Sequence, residues 1–546
     1  MKTYFLFIIL FFFSITVSAQ DSKKIIIHHS DFSEINEAIL PNAVMLSGNI
    51  SAEHDGVLIL CNKAYFFEKE NYIKLFGDVV MNQGDTIHMN SKYAEYNGLN
   101  GFAYATGDVL LRSPNSTLET DTLHFDRGQN LMYYNSFATI INEGNTLTSQ
   151  AGKYFLTEKK FQFFDSVTIT TDQGTIVKSN HLDFYEVPQH SYVFGPSTIT
   201  NEDNYIYTEN GFYDVKNDIG KLIKNSHIIY DDRKIEGDSI YYDRNRDFSS
   251  ATNHVKVTDT INKTIVKGHY AEVYKERDSM FVTQKALISA LTEENDSIYL
   301  HAKRILVTGK AEHRVIRAFN NARIFKTDMS GKSDSIHWNQ EKGLTQMIGR
   351  PVLWNGESQL TGEVIHLIND PITEQLDSLK VLNNAFMIQK DTLGTGFNQV
   401  KGADMYGKFK ENKLYELDLI KNAEIIYFMY NENDEFIGIN KGICSQIHIE
   451  LEDNKIETAT LMVAPKSEIY PKEELPENAQ KLKDFLWRGD ERIRTLDAIF
   501  PDSELDLESE AIEKSILQRQ EAETPMEVLE ETLQAESKSE KEIKTQ

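Results

Sequence analysis

Proline and cysteine are scarce in this chain, at 11 and 2 of 546 residues. Few prolines suit laddered strands, which need their backbone N–H donors. Cys61 and Cys444 lie near opposite ends of a repeat array. In a linear stack those ends are far apart, so no disulfide between them is expected and core burial is left to hold the fold. Positive charge is also short. With 57 Lys and Arg against 83 Asp and Glu, the formal net charge is −26, which argues against nucleic acid or an anionic membrane surface as a general partner. Beyond the first 20 residues no segment approaches 18 consecutive apolar residues, so a helical membrane protein is not expected. Gly-x-Ser-x-Gly, His-Glu-x-x-His, a phosphate-binding glycine loop and Gly-Gly-x-Gly-x-Asp are all missing. His28-His29 has no Cys or carboxylate constellation at ligand spacing beside it. No enzyme, cofactor or metal site is expected.

What the chain does have is repetition. About every 30 residues a small or polar pair precedes two or three apolar residues, clearest in Gly77-Asp78-Val79-Val80-Met81 and Gly107-Asp108-Val109-Leu110-Leu111. Weaker copies include Asn225-Ser226-His227-Ile228-Ile229, Asn253-His254-Val255-Lys256-Val257 and Asn321-Ala322-Arg323-Ile324-Phe325. Self-similarity at a fixed period predicts a stacked architecture in which each unit buries surface against its neighbours. Short runs rich in Ile, Val, Thr, Tyr and Phe between Asn, Asp and Gly predict strands joined by tight turns. The array is read as nearly all β over residues 41–464.

The last position of the phrase forms an apolar column that includes Met81, Leu111, Ile140, Ile169, Ile229, Val257, Phe325, Trp354, Ile388 and Ile426. The preceding position points to the opposite face and is also mostly apolar. A strand with one wet face would alternate more cleanly, so the second face is either covered by another protein layer or lines a trough. The phrase Asp-Ser/Thr-Ile/Leu recurs at Asp85, Asp121, Asp238, Asp296 and Asp334, three times followed by His. Positions two apart on a strand share a face without making a supported nucleophile–base pair. Five spaced copies predict a structural turn whose Asp caps free N–H groups.

The ends differ from the array. Residues 1–19 read as a signal peptide, with Lys2, an apolar run from Tyr4 to Phe13, and Val17-Ser18-Ala19 at the cleavage site. Residues 20–40 form a lead-in. Pro465, Pro471 and Pro476 break the β pattern, and residues 465–500 are expected to form a helical cap carrying Trp487. The Glu-rich residues 501–546 read as a disordered acidic tail. The N-terminal edge around Ala43 to Ile50 is expected to dock a partner by strand addition, with the C-terminal edge shielded by the cap.

The marker phrases resemble those of the OstA/LptA family of periplasmic lipopolysaccharide-transport proteins. Phe76-Gly77-Asp78-Val79-Val80-Met81 and Ala105-Thr106-Gly107-Asp108-Val109-Leu110-Leu111 match its Gly-(Asp/Asn)-Val strand, and Thr86 to Tyr96 resembles the companion strand. The resemblance implies an elongated V-shaped β-jelly roll, in one or more modules, whose apolar trough holds acyl chains. It further implies a periplasmic protein associated with the outer membrane. Lipopolysaccharide or a related glycolipid would be its cargo, and other jelly-roll modules or an outer-membrane translocon its edge-stacked partners. The groove would be lined by Met81, Leu111, Ile140, Ile169, Ile229, Val257, Phe325 and Trp354. Two other readings remain open: a secreted β-helix acting on polysaccharide, and a protein-binding scaffold that never meets lipid. The chain has far more repeats than one short bridge module and no outer-membrane barrel pattern after them.

Overall fold

The computed structural model describes residues 24–501 apart from 85–86, 143, 203, 292–295, 311–312, 371–372, 374, 412, 453–454, 475 and 477–479. The expected signal peptide and, except for Pro501, the acidic tail lie outside these residues, as does the Asp85-Thr86 phrase. The chain divides into two compact units, Met1–Asn217 and Asp218–Gln546.

In the first unit an antiparallel meander runs from Val44–His54 to Asn204–Asp214, each strand pairing with the next. After Ser116–Asp126 the chain substitutes four short strands for two long ones, and the halves pair separately. The second unit repeats the plan from Ile219–Tyr230 to Lys455–Met462, with a similar split between Leu344–Ile348 and Val364–Asn369. All pairings are antiparallel, and the described residues contain no α-helix. None of their helical segments is long and apolar enough to cross a membrane.

The 30-residue phrase marks a bend. Most long strands carry a register shift at mid-length, as between Phe76 and Val79 or Thr252 and Val255. There two successive residues take positive φ: Gly77 and Asp78 (72° and 44°), Asn253 and His254 (54° and 47°), Asn320 and Asn321 (65° and 60°). This left-handed geometry explains why Gly, Asn and Asp dominate the pair. At Gly107 (φ 80°) a Cβ would also stand 2.9 Å from the Lys92 Cβ, so close approach adds to the backbone requirement. Each such bulge bends its strand and strengthens the local twist.

The strand facing each bulge contributes two recurring features. A small donor bonds the carbonyl two residues further on: Ser91 Oγ to Tyr93 O at 3.1 Å, Ser179 Oγ to His181 O at 2.8 Å, Ser333 Oγ to Ser335 O at 2.8 Å. Cys61 and Cys444 occupy this same position, donating to Lys63 O at 3.4 Å and Gln446 O at 2.9 Å. Both are buried free thiols. The next residue clasps the second member of the left-handed pair, as Asn62 does with Asp78 at 2.8 Å, Asp238 with His254 at 3.0 Å and Asp334 with Arg350 at 3.6 Å. At Asp238 and Asp334 the Asp-Ser-Ile phrase lies in mid-strand and not in the expected turn, and its Asp is structural through a side-chain clasp across the bulge.

Three expectations about the ends need correction. Residues 465–500 form no helical cap: Lys466–Pro471 is a strand paired with Phe436–Glu452, and the described chain beyond it is extended, with 3₁₀ turns at Gly489–Glu491 and Asp497–Ile499. An isolated short helix is marginal, and here side chains of the sheet take up the segment's backbone groups instead. The Ala43–Ile50 edge is already covered, because Ile26–His29 and Phe32–Ile35, within the expected lead-in, both pair with Val44–His54. Nor does the Trp487 segment run along the C-terminal edge: it packs on the sheet face, with Trp487 5.1 Å from the Phe397 ring.

Candidate functional site

Contacts between turns at opposite strand ends reveal an interior in each unit. An 11-residue strand, if straight, would span about 36 Å. Yet Arg314, in the turn before Val315–Phe325, donates from Nη2 to Oδ2 of Asp259, which ends Phe248–Asp259, at 2.9 Å. Gln340 Nε2 reaches Asn262 Oδ1 across the same seam at 3.4 Å. In the first unit Arg127 bonds Asp55, and the Tyr96 hydroxyl meets His54 Nδ1 at 2.7 Å. The bulges thus fold each sheet over so that the tips of its two arms meet, enclosing a trough.

In the second unit the trough holds a cavity of about 950 Å³, near the upper end of the range for small-molecule sites. Val257, Val266, Ile288, Leu300, Ile324 and Ile336 form apolar wall, and Tyr230, Arg233, Asp259 and Arg314 stand on its lining as polar groups. In the first unit the interior is the buried cluster of Ile50, Ile59, Ile73, Leu75 and Val79, continued by small Ala94, Ala105 and Ala138.

The expected groove residues divide by phase. Met81, Leu111 and Ile140 are half-buried against that first cluster, and Ile140 and Ile169 against the next one, around Phe163 and Val167. Val257 lies on the cavity wall of the second unit. Ile229, by contrast, is 37 % exposed. The left-handed pair there is Lys224-Asn225, one residue earlier than the phrase suggests, which turns Ile228 inward and Ile229 outward. The same slip affects the later copies. At Asn320-Asn321 it sends Ile324 to the cavity and Phe325 to the outer face, and Trp354 shares that outer face with its cross-strand partner Gln359. A strand's period of two makes a one-residue error a change of face.

A second protein layer covers that outer face. The segment from Gln480 to Pro501 lies across the sheet of its own unit. Leu482, Phe485 and Trp487 pack on Phe386, Ile388, Ile426 and Ile439, while Ile493 and Ile499 pack on Leu287 beside Tyr299 and Phe325. Two buried glutamines read its backbone as a neighbouring strand would. Gln359 donates to Leu486 O at 2.8 Å and accepts from Arg488 N at 2.7 Å. Gln399 donates to Gln480 O at 2.9 Å and accepts from Leu482 N at 2.8 Å. Arg323 Nη1 reaches Ala498 O at 3.4 Å and Ile499 O at 3.3 Å. Beneath this strap His301 is buried with its ring 4.9 Å from Phe500, and burial pushes its pKa down to about 4. In the sequence only the apolar residues of the segment hint at this contact, because nothing local identifies Gln359 and Gln399 as its partners.

The histidines of the Asp-Ser/Thr phrases serve the sheet surface. His124 stacks on Tyr133 with centroids 4.6 Å apart, and His337 meets Phe319 edge-on at 5.6 Å. Burial likewise raises the Cys61 thiol to about 11, so it stays protonated and is a poor nucleophile.

No curated protein matches this chain. Among solved structures it is similar to LptH of Pseudomonas aeruginosa, the LptA homologous periplasmic component of a lipopolysaccharide transport device. That similarity is at 16 % identity over 26 % of this chain and 92 % of the other, with a TM-score of 0.21. Residues 22–179 match the OstA-like protein family, so the stretch holding the clearest Gly-Asp-Val phrases is an OstA-like domain.

Proposed function

We propose that this protein is a periplasmic carrier whose troughs take up the acyl chains of lipopolysaccharide or a related glycolipid during outer-membrane assembly. The observation that carries this reading is the apolar cavity enclosed by the folded sheet of the second unit, supported by the OstA-like domain of the first. Burying acyl methylenes stabilises the complex by roughly 0.8 kcal/mol per CH₂. Release proceeds through the same many weak contacts, so the reading needs no catalytic group. The domain plan carried into it is a cleaved leader, jelly-roll modules within residues 41–464, the strap and an acidic tail. Met81, Leu111, Ile140, Ile169 and Val257 line the groove, joined by Ile324. The exposed N-terminal edge, with Ile26, Phe32 and Ile35 turned to solvent, suits strand addition by another module of a transport bridge or translocon.

Photocrosslinking in cells tests the reading. A photoreactive residue at position 81 or 324 should capture glycolipid, and one at the outward position 229 should not. Absence of lipid capture at both inward positions, in a protein that still folds, would overturn it.

A further inference from the structure

We propose that Arg233 and Arg314 form a head-group station in the second unit, holding the phosphate of an acyl amphiphile whose chains fill the adjoining cavity. This rests on the acyl-trough reading above and adds the charge chemistry of the ligand. Both arginines are lining residues of the cavity, as are Val257 and Ile324 of its apolar wall. Their shared acid is Asp259. Its Oδ2 accepts from Arg314 Nη2 at 2.9 Å and stands 4.0 Å from Arg233 Nε.

That carboxylate is already well occupied, accepting from Asn262 N at 3.0 Å and Asn262 Nδ2 at 3.1 Å. Arg233 otherwise donates to the Tyr230 hydroxyl at 3.3 Å. The Nε of Arg314 is buried without a hydrogen-bond partner, and an unsatisfied buried donor calls for an explanation. Burial, then the field of Arg233, disfavours the charged form of Arg314. Asp278 adds a second acid within range of both arginines, and Lys275 adds a third cation, 5.8 Å from the Tyr230 ring. The wider lining balances its charges, with Lys263 and Lys326 against Asp328, Glu341 and Asp370, so what distinguishes this pair is that two arginines share one carboxylate and the Nε of one is left without a partner.

Arginine forks bind phosphate oxygens in paired, charge-assisted bonds. A phosphate group offers several acceptors at once, enough to serve both guanidiniums beside a carboxylate whose oxygens are already shared. Its position at the seam, where the arm tips meet, leaves the apolar wall free for the chains. Charge at the tips and hydrocarbon within is the order an amphiphile requires.

The test compares dodecyl phosphate, dodecyl maltoside and inorganic phosphate as ligands of the full-length protein. Binding is followed by calorimetry and by the fluorescence of Trp338, which lines the cavity. Dodecyl phosphate should bind at least about tenfold tighter than dodecyl maltoside. Arg314→Gln and Arg233→Gln should each bring that ratio near one. Equal binding of the two amphiphiles by the wild-type protein would overturn the head-group station and leave the trough reading standing. Failure of both to bind would remove the trough reading, and this proposal with it. Displacement of dodecyl phosphate by inorganic phosphate at equal concentration would assign the pair to a free anion and overturn the proposal. The wild-type comparison decides the matter even if a variant fails to fold.

Discussion

In the Met1–Asn217 unit the outer face of the sheet holds a half-buried aromatic ladder. Tyr65, Phe76, Tyr93, Tyr104, His124 and Tyr133 succeed one another across six strands, with neighbouring centroids between 4.6 and 6.5 Å apart. In the Asp218–Gln546 unit much of that face is aliphatic and lies under a strap from the chain's own C-terminal part. The same bulged strand therefore supports two solutions to its outward side. One uses amphipathic rings that tolerate water at their edges; the other brings in a second layer. The two apolar columns of the sequence have different meanings along the chain, and only the inward one belongs to the trough.

The largest effect should come from removing the strap. All three tryptophans, Trp338, Trp354 and Trp487, belong to the second unit, so fluorescence reports that unit alone. Ending the chain at Pro476 removes Trp487 and uncovers Phe386, Ile388, Ile426 and Ile439. At roughly 1.5–3 kcal/mol for each large side chain returned to water, the second unit should lose more than about 5 kcal/mol or fail to fold. Emission from Trp354, whose cross-strand partner Gln359 loses its bonds to the strap, should shift to the red. An unchanged denaturant midpoint, with no red shift in the two tryptophans that remain, would make the strap a passive passenger and erase the contrast between the units.

Next in size is a pH effect confined to the second unit. His301 has a folded pKa of about 4, below the ordinary value of about 6.5. The unfolded chain then binds the extra proton between those values, so stability is fully present above pH 6.5 and falls as pH drops towards 4. The loss should approach about 3 kcal/mol at the acid end. Chemical denaturation monitored by tryptophan fluorescence should show this slope, and His301→Phe should flatten it. A slope that survives the substitution would place the titrating group elsewhere.

Much of the architecture is legible in the sequence because the bulge demands left-handed backbone, and Gly, Asn and Asp announce it. Gly77-Asp78 and Gly107-Asp108 are unambiguous, and the inward column there is legible in its correct phase. Where Lys224, Gln284 or Lys421 occupies the first left-handed position, residue type no longer marks the pair. At Lys224 the phrase then points one residue too far along and Ile229 changes face; at Asn320-Asn321 and Gly349-Arg350 the phrase is anchored on the second member of the pair, with the same result for Phe325 and Trp354. The strap resembles a helix in sequence because its backbone partners, Gln359 and Gln399, lie over 80 residues away. Arg233 and Arg314 carry no local signal at all, since the fold alone brings the tips of the arms together.

A smaller effect should result from breaking the ladder of the first unit. His124→Ala removes the stacking on Tyr133 and the contact with Tyr104 at 5.0 Å. Cross-strand pairs of this kind contribute about 0.2–1 kcal/mol each. The first unit, monitored by thermal circular dichroism, should therefore lose only about 1 kcal/mol. A loss matching that of the strap would mean the ladder, too, is a buried layer.

The smallest effect is expected at Cys61, and it tests what the two units have in common. The Cys61 thiol sits in the donor position that Ser91 and Ser179 fill on later strands, bonding the carbonyl of Lys63 beside the bulge. Serine there should restore the same bond from a smaller atom, and the stability of Cys61→Ser should stay within about 1 kcal/mol of wild type. Cys61→Val keeps the volume and removes the donor, leaving the Lys63 carbonyl without that partner at a cost of about 1–3 kcal/mol. Cys444 occupies the equivalent place in the second unit, bonding Gln446 O, so Ser and Val there should rank in the same order. Denaturant midpoints of the four variants decide the matter. If valine is tolerated better than serine at both positions, the thiols act as apolar filler, and the hydroxyl column is not what steadies the bend in either unit.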